Sequence, residues 1–139
     1  MTLIRIQAGP FEFKSKLEQE RAPKTCQRFM ELLPYTEQVI HSRWSGEAVW
    51  IPLGDFDMGL AFENHTSHPS RGDVLLYPGG NSETEFLFAY GCSCFAAKVG
   101  QLAGNHFLTM VEGHDNLEAF GKKVLWEGAL PITFSLAGD

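Results

Sequence analysis

Apolar and polar positions alternate from the start of the chain. Ile4, Ile6 and Ala8 fall on one side of an extended segment, with Arg5 and Gln7 on the other. Gly9-Pro10 makes a turn, and Phe11, Phe13 and Leu17 then alternate with Glu12, Lys14 and Lys16. That spacing predicts a hairpin with one wet face. The period changes after Pro23, which suits the first turn of a helix. Cys26, Phe29, Met30 and Leu33 recur at helical spacing and form one apolar stripe, until Pro34 ends it. So short a helix is not stable alone in water, so its stripe must plug the β-structure on either side.

Further along, Glu37 to Trp44 reads as a third strand, broken at Gly46 from a fourth over Glu47 to Leu53. Arg43 is unexpected there, sharing a parity with Val39 and His41. Pro52 to Arg71 has no sustained period, as in a binding loop or lid. Gly72 to Tyr77 is a strand ended by Pro78-Gly79-Gly80, and Glu85 to Tyr90 and Cys92 to Val99 read as a pair around Gly91. His106 to Val111 is extended. Asp115, with Glu118 three residues on, predicts the N-cap of a second helix. Its stripe is Leu117, Phe120 and Val124, and Lys122-Lys123 suit its C-terminal dipole. Ile132, Phe134 and Leu136 alternate again. About eight strands with two short helices and Gly-rich turns indicate a sandwich or a closed barrel.

Composition narrows this picture. The 139 residues fit one domain. A chain of this length buries roughly two-thirds of its unfolded surface. Net charge is −6 and the largest basic cluster is Lys122-Lys123, which argues against nucleic acid. No basic start precedes an apolar run, and no apolar stretch approaches the ~20 residues that span a bilayer, so the expectation is a cytoplasmic protein with no membrane partner. Three cysteines then read as reduced thiols. Eleven Phe and three Trp are many for one small core, which leaves homo-oligomer formation open.

Several words of the sequence resemble cyclophilins. Ala22-Pro23-Lys24-Thr25 followed by Phe29 and Leu32 is similar to the cyclophilin barrel-capping helix. Gly104-Asn105-His106-Phe107, Phe120-Gly121-Lys122-Lys123-Val124 and Glu127-Gly128 add to the likeness. The compact length, with Arg43-Trp44-Ser45-Gly46-Glu47 and Gly72-Asp73-Val74-Leu75-Leu76-Tyr77-Pro78, is closer still to small bacterial cyclophilin-like proteins of unknown function. The resemblance implies a mainly β fold: a single domain over residues 1–139, a closed antiparallel eight-stranded β-barrel capped by two short α-helices.

The same resemblance implies a site on the outer barrel face. Arg43 matches the cyclophilin arginine, and Phe107 is a candidate pocket wall. Rotation about X–Pro meets a barrier of ~18–20 kcal/mol, and a guanidinium aimed at the prolyl nitrogen favours the twisted state. Gly46-Glu47-Ala48-Val49 departs from the Pro-Gly-Phe-Met-x-Gln-Gly-Gly-type segment of cyclophilins, and their pocket tryptophan and histidine lack a clear counterpart. The competing reading is a structural Arg43–Glu47 ion pair.

His106 offers a proton shuttle near neutral pH, or equally a hydrogen-bonded structural group. Glu63, His65 and His68 lie within one loop, a poor cage for zinc, so no metal or cofactor is expected. Cys92 and Cys94 share a strand face and read as buried thiols. The leading expectation is a binding protein without efficient isomerase activity. Arg43, Glu47 and His106, with Trp44, Asn105 and Phe107, would converge on a groove for a small molecule or short peptide. The alternatives are a peptidyl-prolyl isomerase using Arg43, and a small-molecule hydrolase or isomerase using His106 and Glu47.

Overall fold

The alternating segments become strands β1 (Leu3–Ala8), β2 (Phe11–Leu17), β3 (Tyr35–His41), β4 (Gly46–Pro52), β5 (His65–Thr66), β6 (Val74–Tyr77), β7 (Glu85–Ser93), β8 (Ala96–Ala97), β9 (Gly100–Gln101), β10 (Gly104–Glu112) and β11 (Leu130–Leu136). The helices are α1 (Pro23–Leu32) and α2 (Leu117–Glu127). These elements come from a computed structural model that describes residues 1–138. The main sheet runs β2-β1-β11-β3-β4-β7-β6-β10, and β2 pairs back onto β10. Every pairing is antiparallel, and at the seam Leu108 faces Leu17 and Thr109 faces Lys16. Eight strands therefore close into a barrel, which removes the free edges an open sheet would expose. Short β5 adds to β10 outside this ring.

The inward residues are those of the alternation: Ile4, Ile6 and Phe13 from the first hairpin, Val49 and Ile51 from β4, Phe86 and Phe88 from β7, and Ile132 and Phe134 from β11. The helices plug the two ends. Phe29 of α1 meets Phe86, Phe107 and Phe134 at centroid distances of 5.9, 4.9 and 5.3 Å. Phe120 of α2 meets Phe13 and Phe88 at 5.5 and 5.3 Å, further along β7. Such tilted and edge-on contacts suit the quadrupoles of the rings. A second apolar layer lies outside the barrel, where the segment after β7 folds back over the sheet. There Phe95 and Leu102 bury Ala48, Leu75, Tyr77 and Leu87.

Three local expectations are corrected. β3 stops at His41, and Arg43–Ser45 form a single 3-10 turn rather than a strand end. The reversal is fixed by Gly46 at φ 110° and by Ser45, whose hydroxyl donates to the Ala96 carbonyl at 3.1 Å. β7 runs unbroken through Gly91, because the Glu47 carboxylate occupies the space a side chain there would need and accepts the Cys92 N–H at 2.9 Å. Finally, α2 is capped by Asn116 after a 3-10 turn that contains Asp115, with no side-chain cap. Among the described residues, no helix is long and apolar enough to cross a membrane.

Candidate functional site

The six residues expected to share one groove are divided among four places. Asn105 and Phe107 have the same strand parity and both are fully buried. Phe107 packs on Phe29 in the barrel interior. Asn105 accepts the Glu63 N–H at 3.1 Å and donates to Thr25 Oγ1 and the Ala61 carbonyl at 3.1 and 3.0 Å. It ties α1 to the long loop after β4. Glu63 completes the tie, taking the Thr25 N–H at 2.6 Å at the N-terminal end of α1, where a carboxylate is favoured.

His106 has the opposite parity and faces outward. Its Nε2 lies 3.2 Å from Asp73, 2.9 Å from Thr109 Oγ1 and 3.1 Å from the Leu108 carbonyl, and Thr109 donates in turn to Glu18. Burial pushes the imidazole pKa down, but the hydrogen bond and charge of Asp73 outweigh that and hold it above its usual value. The ring is thus a satisfied, protonation-prone member of a polar chain.

Arg43 and Glu47 do share a recess, with Tyr90, Glu118, Lys122 and Trp126. Among the described residues Arg43 has no ion pair, with Glu47 or otherwise. The other groups are already matched: Lys122 with Glu118 at 2.8 Å, Glu47 with the Cys92 N–H, and Tyr90 with His41 at 2.9 Å. Two strands, β7 and β6, separate β4 from β10. At ~4.8 Å per strand, Glu47 and His106 stand about 14 Å apart along the sheet, too far to act on one atom.

Trp44 lies elsewhere, in a second recess. It stands 54 % exposed on the turn before β4. Its ring meets that of Trp50 at 5.5 Å with the planes at 82°, giving two walls at right angles. Ala97 and Lys98 form the opposite wall, Ser82 and Glu83 the rim, and Glu85 completes the lining of a recess of about 350 Å³. Trp50 faces outward because Val49 and Ile51 face in. It pairs with Leu87, two residues beyond Glu85 on the same strand, so Glu85 is its diagonal neighbour.

Two polar groups in this recess lack partners. Trp50 Nε1 is buried without a hydrogen bond. Glu85 is only 2 % exposed, and no described residue hydrogen-bonds its carboxyl. Burial, then the negative charge of Glu83, pushes its pKa up to about 8. Its carboxyl oxygens keep a sliver of solvent contact through the recess, while the surrounding burial makes the charged form costly. Sequence reasoning missed both Glu85 and Trp50. The available signal was an acid heading the otherwise apolar run Phe86-Leu87-Phe88-Ala89-Tyr90, and a tryptophan at outward parity on β4.

Other candidates are structural or inert. Burial first, with Glu63 and Glu18, pushes the Cys26 thiol up to about 12, so it stays protonated. No group of three or more His, Cys, Asp or Glu among the described residues is placed to hold a metal ion.

A closed eight-stranded barrel with a helix at each end and a recess on its flank is a cyclophilin-like architecture. Solved structures that share it include the following three. McbB in complex with tryptophan superposes with a TM-score of 0.72 at 18 % identity, over 98 % of this chain and 45 % of that one, so the chain spans less than half of McbB. A hypothetical protein from Archaeoglobus fulgidus gives 0.63 at 14 % identity, covering 98 % and 95 %. A Cryptosporidium parvum cyclophilin-type peptidyl-prolyl cis-trans isomerase, in the presence of the dipeptide Ala-Pro, gives 0.65 at 13 % identity, covering 99 % of each chain. Within that class, the chain belongs to the DUF3830 family of proteins of unknown function, whose pattern it matches over residues 4–136. No curated protein matches the sequence.

Proposed function

We propose that the protein binds a small molecule or short peptide on the outer face of the barrel, in the recess walled by Trp44 and Trp50 with Glu85 among its lining. The observation that carries this reading is the Glu85 carboxyl, almost wholly buried and unpartnered in an aromatic recess. A concave, largely apolar site with few well-placed polar groups is the usual anatomy of ligand binding. The neighbours fit this scale of ligand: one was solved with tryptophan, another in the presence of Ala-Pro. The test is a fragment and dipeptide screen read by the indole N–H signals of the three tryptophans. Ligands should shift Trp44 and Trp50 and leave Trp126, which is 79 % exposed and lines the Arg43 recess instead. Hits that move only Trp126, or none, would refute it.

Prolyl isomerisation through Arg43 is the second reading, supported by a guanidinium that forms no ion pair among the described residues. A coupled assay on an X-Pro peptide decides it: acceleration by the protein that disappears in Arg43→Ala would replace the binding reading with this one.

A further inference from the structure

The two tryptophan walls and the unmatched carboxyl specify more than a recess. We infer that the ligand is an organic cation: an alkylated or quaternary ammonium group lodged in the open angle of the Trp44 and Trp50 rings and paired with Glu85. This rests on the binding reading above and names the chemistry that reading leaves open.

Four observations carry it. The rings stand nearly perpendicular at 5.5 Å, so a group lodged in their angle can meet aromatic surface on two sides. The aromatic quadrupole attracts a cation there, and most strongly for indole. Glu85 supplies the counter-charge from a position that water barely reaches, and among the described residues no base forms an ion pair with it. The rim is also acidic: Glu83 lines this recess, and together with Ser82 it continues into a neighbouring hollow that holds Asp55 and Asp57. An anion approaching there would meet the carboxylates of Glu83 at the recess and of Asp55 and Asp57 in the hollow beside it. The one base at the recess, Lys98, has an exposed side chain and is free to keep its ammonium in water.

A proton balance follows. Glu85 is largely protonated at neutral pH, with Glu83 and Lys98 the charged groups facing it. A permanent cation settling beside it makes the ionised form the better one, and the released proton goes to solvent. Calorimetry in two buffers of different ionisation enthalpy therefore reads proton release on binding.

The experiment compares choline with its neutral carbon isostere, 3,3-dimethyl-1-butanol, by titration against the tryptophan indole signals. Choline should bind roughly tenfold tighter than the alcohol. Glu85→Gln should reduce that preference to what the two rings alone supply, and Trp44→Ala, at an exposed turn position, should weaken choline without unfolding the protein. Equal affinities, or a preference for the alcohol, overturn the cation inference and leave the recess reading intact. Failure of both probes at tens of millimolar also overturns it, and the recess reading then rests on the fragment screen alone. A peptide carrying one trimethyllysine, set against its unmodified form, distinguishes a peptide-borne ammonium from a free one.

Discussion

Glu85→Gln should make the protein more stable at alkaline pH, an unusual direction for removing a native charge. In the unfolded chain this carboxyl titrates near 4.5, and in the folded protein its pKa is pushed up to about 8. Between those values the native state holds a proton that the unfolded state has lost. Stability therefore falls as pH rises through that window, and levels off above it. At ~1.4 kcal/mol per pH unit, the whole interval corresponds to a loss on the order of 4–5 kcal/mol. That is a large share of the 5–15 kcal/mol typical of a folded domain. Glutamine keeps the shape without the charge, and an unpaired amide costs only about 1–3 kcal/mol. Urea unfolding of both proteins at about pH 5 and about pH 9 checks this. The two should be similar at the lower pH. At the higher pH the variant's midpoint should lie above the parent's by about 1–2 M, for a slope near 2 kcal/mol per M. Parallel pH profiles, or a parent more stable at high pH, would show that the buried carboxyl is solvated or paired and would remove the basis of the recess.

Three further outcomes follow from the geometry. Asp73→Asn should lower the His106 pKa, seen by NMR titration. It should also remove the stabilisation that the protonated ring provides below about 6.5, which in the parent is lost as pH rises through the raised folded value. Gly121→Ala would place a methyl group on the Tyr90 ring, and overpacking of this kind should cost about 1–3 kcal/mol, read as a lower Tm. Asn105→Ala deletes three hydrogen bonds from β10, two to the long loop and one to α1. It should cost about 2–4 kcal/mol and speed amide exchange at Glu63 and its neighbours, whereas unchanged exchange would show the loop is held by other means.

Much of the barrel was legible because its elements obey two periods. The stripe through Cys26 and Phe29 and the alternation through Ile4, Ile6 and Phe13 are local properties, and the folded chain buries all five residues. The grouping of the site was less legible. Asn105, His106 and Phe107 are consecutive on one strand, so only His106 could face out while the other two faced in. Arg43 left the strand pattern because Gly46 turns the chain at a φ that alternation does not reveal. Glu85 stood out in the sequence only as an acid heading an apolar run, since what makes it unusual is the lack of a partner among the described residues, and that depends on how Trp44 and Ala97 fold against it.

The recess takes Glu85 from β7 and the Trp50 wall from β4 of the barrel, and the rest from two short excursions, the turn at Arg43–Ser45 and the flap carrying Ala97 and Lys98. The strand pairings that close the sheet use no residue of either excursion. Mutational drift in those few positions can reshape what is recognised while the scaffold continues to fold, and the two burdens of such a small chain are thereby inherited separately.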